Sequence, residues 1–208
     1  MSPPAKPGAY PLELWPQIKG WIATGWVAPE KIIHAGLPEA RAIVTNKAGR
    51  RVRFGMKWLI HRLRGGYLFG RRVAARASED KMPLESLKDY RTLFGDSATP
   101  TMQVYDRGGS YPQTIAKLQA EKVRKIGILP RGQAEWLVSA KDQKVVKSER
   151  GKTEGSLGRL KHQKYGFSGR QERSHLTQTV AGQRAIVSAN LNTLLRDLIQ
   201  KEQDSRHP

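Results

Sequence analysis

"TMQVYDRGGSYPQTIAKLQAEKVRKIGIL", from Thr101 to Leu129, is the stretch whose reading decides the fold. "TMQVYD" reads as a short strand ending in Asp106, "RGGSYP" as a turn, "QTIAKLQAEKV" as a helix and "KIGIL" as a second strand. Strand, helix and strand in that order make a βαβ unit, and strand C-terminal ends in such units commonly carry sites. Asp106 occupies such an end. Followed by Arg107, Gly108 and Gly109, it can bring a carboxylate to the sheet edge where glycines admit backbone or substrate. It can equally do no more than cap the turn into the next helix.

Upstream, apolar Leu14, Ile18, Trp21 and Ile22 fall at helical spacing over Leu12 to Ala23, with Thr24 and Gly25 as the stop. "ARAIVTN" is a short β-like run and "KAGRR" a turn. Val52, Phe54, Met56, Trp58 and Ile60 then alternate with Arg53, Gly55, Lys57, Leu59 and His61, which predicts one strand with its large apolar residues on one core-facing side. "RGG" at Arg64 to Gly66 permits a reversal into "YLFGRRVAA", the second strand of a hairpin. "SEDKMPLESLKDYRTLFG" predicts a surface helix starting at Ser78 and ending at Gly95.

Downstream, "PRGQAEWLVSAKDQ" reads as a loop, and Val145 to Lys164 as a basic helix despite Gly151, Gly155 and Gly158. The last segment places Val180, Val187, Leu191, Leu194, Leu195 and Leu198 on one apolar helical face. The expected class is α/β, a mixed sheet with flanking helices and long C-terminal helices. Residues 1–10 and 200–208 are expected as flexible tails around one domain over 11–199.

The 208 residues carry 37 Lys and Arg against 18 Asp and Glu, a formal net charge of +19. So large an excess repels itself unless a polyanion or salt screens it, which makes nucleic acid the first candidate partner. No apolar run approaches a membrane span and none of the basic segments has a clean bulky apolar face, so no membrane partner is expected. With no cysteine, disulfides, thiolate metal sites and a cysteine nucleophile are excluded. The opening "MSPPAKPGAY" lacks the charged and apolar regions of a secretory signal, consistent with a cytoplasmic protein.

One glutamate, Glu154, stands in the basic run "KSERGKTEGSLGRLKHQKYGF". On a helix Arg150 lies one turn before it and Lys161 about two turns after, so all three share a face. At about 1.5 Å rise per residue, Lys161 is on the order of 10 Å away along the axis, beyond a close ion pair, while Arg150 is in reach. A solvated salt bridge accounts for Arg150 and Glu154 by themselves. Taken with Asp106, the glutamate offers a second oxygen donor for a divalent metal, most simply Mg²⁺, acting on a phosphodiester whose flanking backbone Arg150, Arg159 and Lys161 would hold.

The ordered set "DRGG", "ERGKTEGSLGRLK" (Arg, then Glu four later, then Lys seven after that) and "GQRAIVSANLNTLL" resembles the C-terminal part of bacterial insertion-sequence transposases of the DDE type. "LWPQIKGWIATGWVAPEKII" and "RAIVTNKAGRRVRFGMKWLIHRLRGGYLFG" are similar to their middle portion. The resemblance implies a partial RNase H-like core and metal-dependent DNA strand cleavage and transfer in transposition, with Mg²⁺ or Mn²⁺ as cofactor. It makes Asp106 and Glu154 the second and third catalytic, metal-binding acids and Arg150, Arg159 and Lys161 DNA-binding residues. Lys147 stands where the family has a tyrosine. The first aspartate has no equivalent among Glu13, Glu30, Glu39, Glu79 and Asp80, so the chain is expected to be truncated at its N-terminus and inactive alone. The implied partners are transposon-end and target DNA, a full-length transposase or a second copy, in the bacterial cytoplasm with the nucleoid. The alternative is a non-catalytic DNA-binding protein derived from such an element; a structural RNA binder is a third. Trp58, Trp136 and the leucine-rich C-terminal face are expected to serve packing.

Overall fold

The computed structural model describes residues 10–26, 31–32, 40–47, 50–74, 77–130, 132, 135–136, 138–167 and 175–206; for 10–13, 41–47, 50–54 and 175 the backbone alone is described. Over these residues the chain is mixed α/β, with five α-helices, three two-stranded sheets and a C-terminal helix of 32 residues. It divides into two compact units, one holding the N-terminal helix and hairpin and the other most of the central and C-terminal elements. No described helix is long and apolar enough to cross a membrane.

In the first unit, α1 (Tyr10–Thr24) forms where Leu14 and Ile18 recur at helical spacing. Both are half-buried, whereas Trp21 and Ile22 are exposed. The helix stops where the sequence predicts. Gly25 takes φ +68°, its N–H donates to the Trp21 carbonyl at 2.8 Å, and the Thr24 hydroxyl donates to the Gly20 carbonyl at 2.7 Å. β1 (Arg41–Lys47) pairs antiparallel with β2 (Arg50–Gly55), Val44 opposite Val52, with the register shifting before Lys47. The expected tail at 1–9 and the centre of the expected turn at 48–49 lie outside the described residues.

The single strand expected from Val52 to Ile60 is two. β2 ends at Gly55, the last residue opposed by β1, and β3 (Trp58–Arg62) joins a separate sheet with β4 (Leu68–Arg72). The Lys57 carbonyl between them accepts from the Val73 N–H at 3.0 Å. Period-two alternation shows that a segment is extended; it does not show that one partner accompanies it throughout. The buried side is also the opposite one. Leu59 is 5% exposed, while Trp58 and Ile60 are only half-buried, so Trp58 is not the core residue that the alternation suggested. The reversal at Arg64–Gly66 does occur, with Gly65 and Gly66 at φ +84° and +90°, a conformation open to glycine without strain.

Ser78 starts a 3₁₀ turn (Glu79–Lys81) rather than the helix, and its hydroxyl makes no cap bond. α2 (Met82–Phe94) begins with Pro83 in its first turn and ends at Gly95, whose N–H donates to the Arg91 carbonyl at 2.8 Å. The βαβ unit forms as read. β5 (Met102–Tyr105), α3 (Pro112–Ala120) and β6 (Lys125–Ile128) give a parallel pair running from Met102 opposite Lys125 to Tyr105 opposite Ile128. Leu87, Leu118, Val123, Ile126 and Ile128 make its core, with Leu84, Tyr105 and Ile115 packed against them. Each such side chain contributes about 1.5–3 kcal/mol when fully buried.

α4 (Ala140–Leu160) starts five residues before the expected Val145 because Ser139 caps it. The Asp142 N–H donates to Ser139 Oγ at 3.2 Å, and that hydroxyl donates to Asp142 Oδ2 at 2.9 Å. Lys125 Nζ, 2.6 Å from Asp142 Oδ1, ties the helix start to β6 and, with Ser139, holds the Asp142 carboxyl below its ordinary range. The helix ends at Leu160, not Lys164, and Lys161 closes it by donating to the Leu157 carbonyl at 3.1 Å.

α5 (His175–Arg206) runs on through residues 200–206, so that part of the expected C-terminal tail is helical. Asn190 receives the Leu68 N–H and donates to the Leu68 carbonyl, both at 2.7 Å, and Gln183 donates to the Gly70 carbonyl at 2.9 Å. These amides satisfy the backbone of β4 along its open edge. The face that packs is made of Ala185, Ile186, Ala189 and Thr193, all buried; Val180, Val187, Leu191, Leu194, Leu195 and Leu198, the expected apolar face, are exposed. Small residues let α5 approach the sheet closely, which leaves the leucines pointing outward.

Candidate functional site

β5 delivers Asp106 to the sheet edge, and the turn after it depends on Gly109. A Cβ on Gly109 would come within 2.6 Å of Pro83 Cγ and 2.7 Å of Tyr105 Cδ1, and one on Gly108 would collide with the Glu79 carboxylate. Only hydrogen fits at Gly109, whereas at Gly108 the end of the Glu79 side chain could swing aside. Asp106 also does what its position allows locally, accepting the Arg107 N–H at 2.7 Å, so the capping role is real. Tyr105 beneath it is pushed up to about 12, first by burial and then by the charges of Glu79 and Asp106. Its phenol therefore stays protonated at neutral pH.

α4 lies across both strands of the βαβ unit. A Cβ on Gly127 of β6 would be 2.6 Å from Val146 Cγ1, so this glycine sets how closely the helix approaches. One turn along the same helix, Glu149 accepts from Arg62 Nη1 at 2.9 Å and from Lys152 Nζ at 2.6 Å. Lys152 first, then Arg62, hold the Glu149 carboxyl below its ordinary range against the opposing effect of burial. Packing and ion pair together fix the rotation of α4, and Arg150 emerges over the end of β5.

One guanidinium joins the two acids singled out from sequence. Arg150 Nη2 donates to Asp106 Oδ1 at 3.0 Å, and its Nε donates to Glu154 Oε1 at 3.0 Å. The Arg150–Glu154 bond is the expected one-turn pair; the bond to Asp106 is the long-range contact that spacing does not supply. Both carboxylates stay open to solvent, with side-chain exposures of 74% for Asp106 and 66% for Glu154. Exposed ion pairs of this kind are worth about 0–1 kcal/mol, so the cluster adds little to stability.

Lys147 and Lys161 stand seven residues either side of Glu154 and are exposed, so the three form one stripe along α4 spaced about 10 Å apart. Arg159, expected in the same group, is not there. Nine residues from Arg150, it projects from the opposite side of the helix. It is half-buried, with Nη2 3.3 Å from the Thr193 hydroxyl of α5 and Nε buried without a hydrogen-bond partner among the described residues.

Mg²⁺ and Mn²⁺ take oxygen donors. Asp106 and Glu154 fit as two such donors, with the Arg150 cation between them as the group a metal would replace. No cluster of three or more His, Asp or Glu suited to a metal occurs among the described residues, so the fit is that of a partial ligand set.

A second polar cluster escaped the sequence. His61 stacks on Phe69 with ring centroids 4.2 Å apart, its Nδ1 2.9 Å from Ser86 Oγ and its Nε2 3.0 Å from Asp89 Oδ2; Arg71 Nε donates to Asp89 Oδ1 at 2.7 Å. Burial lowers the pKa of His61 against the raising effect of Asp89. The network assigns a neutral ring that accepts from Ser86 and donates to Asp89. Ser, His and Asp in sequence suggest a nucleophilic relay. Ser86, however, lies within α2, where neighbouring backbone N–H groups are committed to the helix and cannot converge on an oxyanion. The cluster locks β3 and β4 onto α2. Its only sequence signals are Ser86 and Asp89 one turn apart and His61 on the Leu59 side of β3. Trp136 is half-buried, with Nε1 lacking a hydrogen-bond partner among the described residues, in keeping with packing.

Compared with protein-family models, curated proteins and solved structures, the chain shows no match.

Proposed function

We propose that this chain is the C-terminal portion of a DDE-type DNA transposase core, RNase H-like in fold, and that it binds DNA through the α4 face while remaining unable to cut it alone. The observation that carries this reading is the meeting of Asp106 and Glu154 on Arg150. A strand-end carboxylate in a parallel pair and a helix carboxylate laid over it form the kind of oxygen pair that phosphodiester chemistry requires. Asp106 and Glu154 would hold a divalent metal, which supplies neutralisation of the phosphodiester and activation of a hydroxyl. Arg150 neutralises the two acids, and with a divalent metal held by them its guanidinium would be free to reach the phosphate backbone. Lys147 and Lys161 hold that backbone on either side. Arg159 acts instead within the fold, joining α4 to α5.

The chain is inactive alone because two carboxylates do not make the symmetric two-metal clamp. Incubation of labelled duplex DNA with Mg²⁺ or Mn²⁺ tests this: binding without nicking is expected, with affinity falling steeply with salt. Nicking abolished by Glu154→Ala would overturn the inactivity, and preferential binding of RNA, or no salt-sensitive binding, would overturn the function. A non-catalytic DNA binder is the second reading, favoured by the neutralisation of both acids on Arg150. It requires DNA affinity to survive Asp106→Ala and Glu154→Ala unchanged in the presence of metal.

A further inference from the structure

α5 carries two apolar faces. At 3.6 residues per turn, the buried Ala185, Ile186, Ala189 and Thr193 centre on one side, and Val187, Leu191, Leu194, Leu195, Leu198 and Ile199 form a stripe about 140° wide on the other. All six of the second set are between 44% and 59% exposed. They occupy about 18 Å of helix, and Val187, Leu191, Leu194 and Leu198 recur at alternating spacings of four and three, the seam of a coiled coil. A surface helix needs one such stripe. A second, unbroken over more than three turns, calls for a partner.

We infer that this stripe joins two copies of the chain as an antiparallel pair of α5 helices. Charge selects a second copy over an anionic surface. From Arg184 to Arg206, Arg184, Arg196, Lys201 and Arg206 face Asp197, Glu202 and Asp204, a net of only +1 in a chain of net charge +19. A lipid-binding face would be basic at its polar margins; this one is the part of the molecule where two copies meet with least repulsion.

The direction follows from the ends of the stripe. Arg184 and Glu202, both exposed, sit at the same angle around α5 and equally far from residue 193. A two-fold axis beside that residue sets Arg184 against the second copy's Glu202, Val187 against its Leu198 and Ile199, and Leu191 against its Leu194 and Leu195. A parallel pair would oppose Arg184 with Arg184 and Glu202 with Glu202. Glu202 now pairs with its own exposed Arg206, a contact weak enough to exchange. Six half-exposed aliphatic side chains per copy give a small, isologous contact, so a reversible dimer with Kd on the order of 10 µM is expected.

Analytical ultracentrifugation of the full chain without DNA, from about 1 to about 200 µM to bracket that Kd, tests the pairing. A monomer–dimer equilibrium is expected, abolished by Leu191→Asp with Leu194→Asp while the helical circular dichroism is retained. Arg184→Glu should weaken the dimer about threefold, and adding Glu202→Arg should restore it. Because the chain has no cysteine, Gln203→Cys accepts a single spin label. The antiparallel pair puts two such labels about 30 Å apart, and a parallel pair about 10–20 Å. A monomer throughout the range, a dimer indifferent to the aspartates, or the short label distance would overturn the inference.

Discussion

Replacing Gly127 with alanine should loosen α4 from the sheet. The new Cβ would lie 2.6 Å from Val146 Cγ1, 3.2 Å from Val146 Cγ2 and 3.0 Å from Val104 Cγ2, where ordinary carbon contacts run at about 3.5–4.0 Å. Val146 is 2% exposed, and its branched Cβ leaves one strongly preferred rotamer in a helix, so it cannot swing aside. The helix itself must lift, by roughly 1 Å. Overpacking of this kind costs about 1–3 kcal/mol, and the stiffer unfolded chain returns about 0.4–1 kcal/mol. The net loss should be about 1–2 kcal/mol, a fall in Tm of about 2–8 °C for a chain of this size. Val146→Ala alone should cost about 2 kcal/mol from lost burial and the space left behind. In the double variant the shortened side chain on α4 makes room for the methyl added to β6, so the combined loss should fall short of the sum by about 1 kcal/mol. Urea denaturation of the wild type, both single variants and the double variant measures this. Strict additivity, or a Gly127→Ala variant as stable as the wild type, would refute the close approach of α4 to β6.

Lys122, at the end of α3, has φ +62°, a conformation that costs a residue with a Cβ roughly 1–2 kcal/mol; Lys122→Gly should raise stability by about 0.5–1 kcal/mol in the same denaturation assay. Burial keeps His61 below its ordinary value of 6.5, so the folded state binds this proton less readily than the unfolded chain. The stability it contributes is fully present above 6.5 and is lost as pH falls from there through the lowered folded value; His61→Gln should flatten the slope of stability measured between about pH 8 and about pH 5.

What the sequence made legible was local. The βαβ unit could be read because its turns, helix periodicity and strand runs are contiguous, and the Arg150–Glu154 bond because helical neighbours four apart must meet. The bond from Arg150 to Asp106 crosses 44 residues, and its formation depends on Gly127 admitting Val146 and on Arg62 holding Glu149. No spacing encodes that rotation of α4. Arg159 is different: its nine-residue separation from Arg150 already sets it on the opposite side of a helix, and only its contact with Thr193 of α5 needed the structure. The alternation from Val52 to Ile60 hid the break at Gly55 because each half keeps the same period while pairing with a different strand. In α5 the leucines outweighed Ala185, Ala189 and Thr193 in any hydrophobic pattern, yet the small residues take the inside because close helix–sheet contact needs little side-chain volume.

Central to the proposed function is the joint action of Asp106 and Glu154 as donors to a divalent cation that competes with Arg150. Titration of the full chain with Mn²⁺, followed by the loss of the free-ion signal in electron paramagnetic resonance, measures that directly. Weak binding by the wild type is predicted, together with its loss in Asp106→Asn and in Glu154→Gln and tighter binding in Arg150→Ala. Identical Mn²⁺ isotherms for the wild type and all three variants would contradict it.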